Sequence, residues 1–238
     1  MFKLESSLGK NKRKGGNMKI WKRILLVLVI GSFMVGTAFA GVKEMKEAYV
    51  SKDYVTAISE AGKVIADANA TIEDKAFAQR YIGLCYYRQK DYVKALPEFR
   101  KVISNYSGEK WLCAYAQRFI GYCYYLQKDY SKAITELQKV ISNYSEVKSQ
   151  CVIAQRYIGS CYEKIGKTVE AQEAWIQLCK MQGAPLSEVK IALSKLDKVA
   201  LGTEEYLKLL DTMILAIPAN EKNAEFLGIL KSEQEKLK

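Results

Sequence analysis

Three arginines recur at a fixed spacing in this chain and could together contact a negatively charged or extended partner. Arg80, Arg118 and Arg156 are 38 residues apart, and aromatic residues flank them. A guanidinium donates hydrogen bonds in a planar fork that suits carboxylates, and aromatic side chains are enriched at binding surfaces. If the three helices that carry them are aligned, Arg80, Arg118 and Arg156 would form a ladder suited to carboxylates and extended peptides; we call them the ladder arginines. The alternative, that they only hold neighbouring repeats together, stays open.

The residue patterns of common enzymes and metal sites are missing from the sequence. The 238 residues include no histidine, the commonest general base and metal ligand. The six cysteines form no Cys-x-x-Cys pair, so zinc-ribbon and thioredoxin-type sites are not indicated. No nucleophile beside a base and no phosphate-binding loop stands out. We predict that the chain is not an enzyme and uses no cofactor or metal.

A repeated helix must position the arginines. The string Ala-Gln-Arg-Tyr-Ile-Gly-x-Cys-Tyr occurs, with small changes, at residues 78–86, 116–124 and 154–162. Its glycine costs a helix about 1 kcal/mol, so we expect each glycine to let a partner helix approach closely. The cysteine two positions later is expected to be a small buried residue. A disulfide ladder is the alternative, but packed helices lie roughly 8–10 Å apart, beyond the reach of a disulfide.

A second helix is predicted after each of three Lys-Asp-Tyr segments, at residues 52–54, 90–92 and 128–130. Apolar residues then recur every three or four positions, which is typical of a helix packed along one face. We expect the aspartate of each segment to cap its helix by accepting from a free backbone N–H.

The unit resembles the tetratricopeptide repeat, a helix-turn-helix whose first helix carries a Trp-x-x-Leu-Gly-x-x-Tyr pattern. Gln79, Ile82, Gly83 and Tyr86 occupy these positions in the second unit, and the next two units match likewise. The resemblance covers roughly residues 42–184. It implies an all-α fold, a right-handed α-solenoid of about three and a half helix-turn-helix repeats with a 38-residue period, followed by C-terminal capping helices.

Two departures from that pattern are visible. Glutamine replaces the opening tryptophan in all three full units, and the period of 38 exceeds the usual value of about 34. The longer period is similar to that of exported bacterial periplasmic proteins of the Tol-Pal-associated and outer-membrane-assembly types. This narrower resemblance implies a place in the cell envelope.

The resemblance also implies a set of binding residues, because the concave face of tetratricopeptide repeats binds peptides. Positions counted from each glycine give Phe77, Arg80, Leu84, Tyr87, Arg88, Tyr115, Arg118, Tyr122, Tyr125 and Arg156. Spacings of three and four place neighbours in this set on one helix stripe. In the fourth unit Ser160 and Glu163 replace aromatic residues, so we expect binding to centre on the second and third units.

The N-terminal forty residues have the composition of a leader. Residues 1–17 form a polar tail, and Met18 is a candidate for the true start. Residues 18–40 run from a basic segment through an apolar stretch to Ala38-Phe39-Ala40. This order predicts a signal peptide cleaved after Ala40; an uncleaved anchor is the alternative. The leader holds eight basic residues and one Glu, leaving about +4 of the net charge of +11 for the rest.

The repeats are predicted to span residues 41–184 and a helical cap residues 185–238. In the cap we expect helices at 187–201, 203–217 and 220–238, since Gly202 and Pro218 interrupt the pattern. A terminal cap covers the apolar edge of a stack of repeats.

We therefore predict an exported protein-interaction scaffold that binds a peptide or protein, does not bind nucleic acid, and meets the membrane only if its N-terminal segment is uncleaved. The alternative is a structural subunit of an envelope assembly that uses its convex face or C-terminal helices.

Overall fold

The computed structural model describes residues 41–197 and 201–238, and in this part of the chain it contains helices and turns but no strand. The predicted tail and signal peptide lie outside the described residues. The all-α solenoid predicted for the repeats is confirmed. The helices are α1 (residues 41–50), α2 (Tyr54–Ala66), α3 (Ile72–Arg88), α4 (Tyr92–Asn105), α5 (Lys110–Leu126), α6 (Tyr130–Asn143), α7 (Lys148–Lys164), α8 (Thr168–Lys180), α9 (Leu186–Lys195), α10 (Thr203–Ala216) and α11 (Glu221–Leu237).

Successive helices pair into units and the units stack in chain order. The pairs α3 and α4, α5 and α6, and α7 and α8 each pack together. Each second helix also packs on the first helix of the next unit: α2 on α3, α4 on α5, α6 on α7, and α8 on α9. The first helices also meet one another: α3 contacts α5, α5 contacts α7, and α7 contacts α9. Side chains on these helices are thus brought together across units.

The turn inside each unit needs one residue with left-handed backbone. Lys52, Lys90 and Lys128 adopt φ values of 66°, 62° and 63°, and Gly166 takes the equivalent place with φ of 74°. Such a conformation costs a residue with a Cβ about 1–2 kcal/mol, and glycine avoids that cost. The aspartate after each lysine caps the second helix as predicted, accepting a backbone N–H at 3.1–3.2 Å.

The three glycines of the repeated string permit close packing within each unit. A Cβ added to Gly121 would lie 2.6 Å from Cγ of Leu137. Gly83 and Gly159 meet aromatic rings of their partner helices in the same way, at 2.8 Å. Real Cβ atoms do not approach so closely without displacement of the neighbour, and overpacking of this kind is destabilising. The predicted packing role of the glycines is confirmed.

The glutamine that replaces the opening tryptophan links the two helices of a unit by hydrogen bonds. Gln117 Nε2 donates to the Glu136 carboxylate at 2.7 Å and to the Glu136 carbonyl at 3.1 Å. Gln79 donates to Glu98 at 2.5 Å. All three repeat glutamines are buried, so these bonds satisfy amides that would otherwise lie unpaired in the interior.

All six cysteines lie in the described residues, and all are buried and free. Burial raises the pKa of Cys85, Cys123, Cys161 and Cys179 to about 12. The thiols therefore stay protonated and behave as small core residues, as predicted. Cys113 and Cys151 also lie 3.2 Å and 3.3 Å from a carbonyl oxygen near the end of the preceding helix.

The chain after the repeats packs on the last unit through an apolar cluster. Trp175 and Leu178 of α8 are buried together with Leu209, Met213 and Leu230 from α10 and α11. α9 ends at Lys195, within the range of the helix expected at 187–201. α10 and α11 follow their predicted ranges closely. Among the described residues, no helix is long and apolar enough to cross a membrane.

Candidate functional site

The first helices α3, α5 and α7 form one surface, which we call the first-helix face. Eight of the ten predicted binding residues are partly or fully exposed along these helices, whereas Arg80 and Leu84 are buried, with 7% and 6% exposure. Arg88 is exposed, and its Nε donates to the Tyr49 hydroxyl at 3.0 Å. That bond raises the pKa of Arg88 and ties the second unit to α1.

An unbroken strip of aromatic rings crosses the first-helix face. Tyr115 stacks on Phe119 with ring centroids 4.7 Å apart, and Phe119 meets Tyr87 of the preceding unit edge-on at 5.1 Å. Tyr122 continues the strip to Tyr157 of the following unit at 4.6 Å. The four tyrosines are half-buried. They therefore hold neighbouring units together and still present ring surface to solvent.

Two tyrosines of the strip, Tyr87 and Tyr157, have hydroxyl groups that stay neutral. Burial and the neighbouring Tyr122 raise the pKa of both Tyr87 and Tyr157. Their hydroxyls remain protonated near neutral pH and can donate hydrogen bonds. The strip can thus offer apolar ring faces together with hydroxyl donors.

Arg156, in the last unit, has a counter-charge within the chain. Its Nε lies 3.2 Å from Oε2 of Glu188 on α9, with side-chain exposures of 31% and 17%. The two atoms form an ion pair but are not aligned for a hydrogen bond. The guanidinium also lies 4.8 Å from the Tyr157 ring centroid.

Arg118, in the middle unit, has a neutral partner instead. Its Nε donates to Oε1 of Gln150 on α7 at 2.7 Å. The guanidinium lies 5.0 Å and 4.6 Å from the ring centroids of Tyr115 and Phe119. Burial lowers the pKa of Arg118, because desolvation disfavours the charged form.

Arg80, in the first full unit, has no hydrogen bond and no ion pair in the described part of the chain. The residue is 7% exposed, and its Nε is buried without a partner. Four ring centroids lie 4.4–5.5 Å from its guanidinium carbon, those of Phe77, Tyr81, Trp111 and Tyr115. Burial lowers the pKa of Arg80.

The partners of the arginines occupy one repeated position, 32 residues after each arginine. That position holds Leu112 for Arg80, Gln150 for Arg118 and Glu188 for Arg156. Gln150 and Leu112 are buried beneath the face. The repeat therefore carries an arginine whose internal partner changes from apolar to neutral polar to acidic along the chain.

Sequence reasoning missed several residues of this surface. Tyr81, Phe119 and Tyr157 each follow a ladder arginine directly, a signal visible in the repeated string. The position of Gln150 and Glu188 was also detectable, because they are 38 residues apart. Trp111 has no aromatic equivalent in the other units, so only the structure associates it with Arg80.

The described residues contain no group of His, Cys, Asp or Glu side chains placed to hold a metal ion. With protonated cysteines and neutral tyrosines, what the first-helix face offers is noncovalent contact: ring faces, hydroxyl donors and guanidinium groups. These are the groups that recognise peptides and proteins.

Comparison with known families agrees with the geometry of the units. Residues 74–146, which span two of the helix pairs, match the family model of the tetratricopeptide repeat. This match shows the likeness to tetratricopeptide repeats for these two helix pairs. No curated protein matches the chain. Tetratricopeptide repeats form scaffolds that bind proteins or peptides, which is the coarse function predicted from the sequence.

Several solved structures are similar to the chain. MamA, from its residue 41 to its end, from Desulfovibrio magneticus RS-1, is 13% identical, with a TM-score of 0.47, covering 84% of this chain and 94% of that one. The putative kinesin light chain of Podosopora anserina, with nearly identical TPR-like repeats, is 12% identical, with a TM-score of 0.47, covering 83% and 93%. A structure described as MamA MSR-1 C2 is 15% identical, with a TM-score of 0.42, covering 86% and 95%.

Proposed function

We propose that this chain is an exported scaffold that binds a peptide or protein partner in the cell envelope through its first-helix face. The observation that carries the proposal is the aromatic strip, which stays half-buried across three successive units. A surface needed only for packing between units has no reason to keep ring area open to solvent. Tyrosine and tryptophan at such a surface supply large contact area at a low cost in conformational entropy.

Export is part of the proposal and rests on the sequence of residues 18–40. Six unpaired cysteines are unusual in an oxidising compartment, but they are compatible with export because buried thiols of raised pKa resist disulfide formation. We also propose that the repeats end near residue 184, with residues 185–238 covering the last unit. The absence of catalytic function remains a prediction.

The proposal is tested by capturing partners with the full chain and two matched variants, expressed in its own host with an affinity tag. Trp111→Ser and Val93→Ser each install the residue found 38 positions later, at Ser149 and Ser131. Both side chains are exposed, at 46% and 76%. We expect Trp111→Ser to reduce recovery of the partner at least about tenfold and Val93→Ser to leave it unchanged. Helical content by circular dichroism checks that both variants fold.

A second candidate, a structural subunit of an envelope assembly, is favoured by a different observation. Val55, Val93 and Val169 occupy one repeated position on the second helices and are exposed by 77%, 76% and 78%. A row of exposed valines is a candidate for apolar contact with another subunit. Loss of the partner in Val93→Ser but not in Trp111→Ser would support this candidate and contradict the first.

A further inference from the structure

The position 32 residues after each ladder arginine is where the chain places a partner for it, and in one unit that partner is a carboxylate. In the last unit the counter-charge comes from Glu188, and in the middle unit Gln150 offers an amide oxygen at the same repeated position. In the first full unit that position is Leu112, which offers no acceptor atom. Among these three arginines, Arg80 is therefore the one with neither a hydrogen bond nor an ion pair in the described residues.

We propose that Arg80 is the binding site for one acidic side chain of the partner, and that the rings around Arg80 contact the residues flanking that side chain. The inference rests on the proposed function and names the chemistry of its partner. The Leu112 side chain supplies no acceptor, so the acidic group must come from the partner. Trp111, 46% exposed and with its ring centroid 5.5 Å from the Arg80 guanidinium carbon, is available to contact the same partner.

A structural role alone explains Arg80 poorly. A buried charge without a counter-ion or hydrogen bonds is costly, and ring faces recover only part of that cost. Of the three guanidinium nitrogens, Nε alone is both buried and without a partner; the terminal nitrogens are the atoms that a ligand can reach. A bound carboxylate would receive hydrogen bonds from a guanidinium already desolvated and held in place.

The local charge also favours an acidic ligand. Lys46 Nζ lies 4.6 Å from the centroid of the Phe77 ring, which Arg80 covers at 4.4 Å. Burial is the largest cause of the lowered pKa of Arg80, and the tyrosines Tyr115, Tyr81 and Tyr49 oppose it. No carboxylate in the described residues pairs with Arg80, so its charge is free to act on a partner.

The test places the counter-charge inside the chain. Leu112→Glu copies the arrangement of Glu188 and should occupy Arg80, whereas Leu112→Gln copies Gln150 and differs from it by charge alone. The probe is a capped pentapeptide, Leu-Ala-Glu-Ala-Leu, with its Gln counterpart as control. The readout is the NMR signal of the Arg80 Nε–H group in the full chain, assigned by its loss in Arg80→Met.

We expect the Glu peptide to shift the Arg80 signal and to bind at least about tenfold more tightly than the Gln peptide. Leu112→Glu should abolish that preference and Leu112→Gln should keep most of it. Circular dichroism confirms folding. If Leu112→Glu does not fold, Arg80→Met serves in its place and should also lose the preference; because this variant has no Arg80 signal, its binding is followed by the indole N–H signal of Trp111, whose ring lies beside Arg80.

Equal binding of the Glu and Gln peptides would overturn this inference while leaving the proposed function standing. So would the absence of any shift up to about 10 mM peptide. A Gln peptide with a free C-terminus that binds as tightly as the Glu peptide would assign the site to a chain terminus, contradicting the side-chain assignment. Failure of the partner-capture experiment would instead contradict the proposed function.

Discussion

The first and last full units of the solenoid have the same arginine but differ in where its charge is compensated. Arg156 faces Glu188 from the helix that follows the repeats, whereas Arg80 lies among four aromatic rings with Leu112 at the equivalent place. An arginine that is repeated for packing can thus become free for recognition when its internal partner is replaced. We call the Arg156 end of the first-helix face the closed end, because its arginine has a counter-charge within the chain, and the Arg80 end the open end.

The largest expected effect is at the closed end. Arg156→Met leaves the Glu188 carboxylate, 17% exposed, without a counter-charge. Because removing one member of a buried pair is strongly destabilising and this pair is partly solvated, we expect a loss of about 2–3 kcal/mol in the free energy of unfolding. Urea denaturation measures it.

The matched control for this variant is the double change Arg156→Met with Glu188→Leu, which removes both charges and should recover most of the loss. If the double variant is no more stable than the single one, the pair does not act as described.

An intermediate effect on stability is expected at the turn between the two helices of each unit, which differs between the last unit and the earlier ones. Gly166→Lys places in the last unit the residue that earlier units carry at positive φ, and we expect it to lower stability by about 1 kcal/mol. Lys128→Gly, the reverse change in the middle unit, should raise stability by up to about the same amount. Thermal unfolding monitored by circular dichroism checks both. A gain in stability with Gly166→Lys would contradict the assigned left-handed turn.

The smallest effect is expected at the open end. Arg80→Met removes an unmatched buried charge and keeps an apolar side chain of similar length, while losing its contacts with the rings. These terms oppose each other, so we expect a change in unfolding free energy within about 1 kcal/mol, of either sign. The same urea assay applies. A loss as large as that of Arg156→Met would show that Arg80 serves the fold and would weaken the contrast between the ends.

The sequence predicted the units well because each of their signals is local. The turns, the aspartate caps and the glycine contacts repeat at 38 residues, and each depends on residues within one helix pair. Past Pro185 this redundancy ends, and the predicted helix continued past Lys195, where α9 ends. Helix propensity alone did not define the C-terminal end of α9.

The candidate site was predicted less completely. The offset from each glycine placed Arg118 and Tyr122 on the first-helix face, yet it could not show that Arg118 is hydrogen-bonded to Gln150 or that Leu84 is buried. Both facts depend on the neighbouring unit. The two alternatives left open, binding and packing between repeats, are not exclusive, because the half-buried rings pack between units and still present ring surface to solvent.

By itself the sequence determined that this chain is a solenoid of helix pairs and that an arginine recurs on the first helix of each full unit. These properties follow from periodicity, which is written into the residues of a single unit. Only the tertiary structure decided which arginine is satisfied. The partner comes from the next unit, 32 residues away, and whether it meets the guanidinium depends on how adjacent units stack. That stacking leaves Arg80 without a counter-charge from the described part of its own chain.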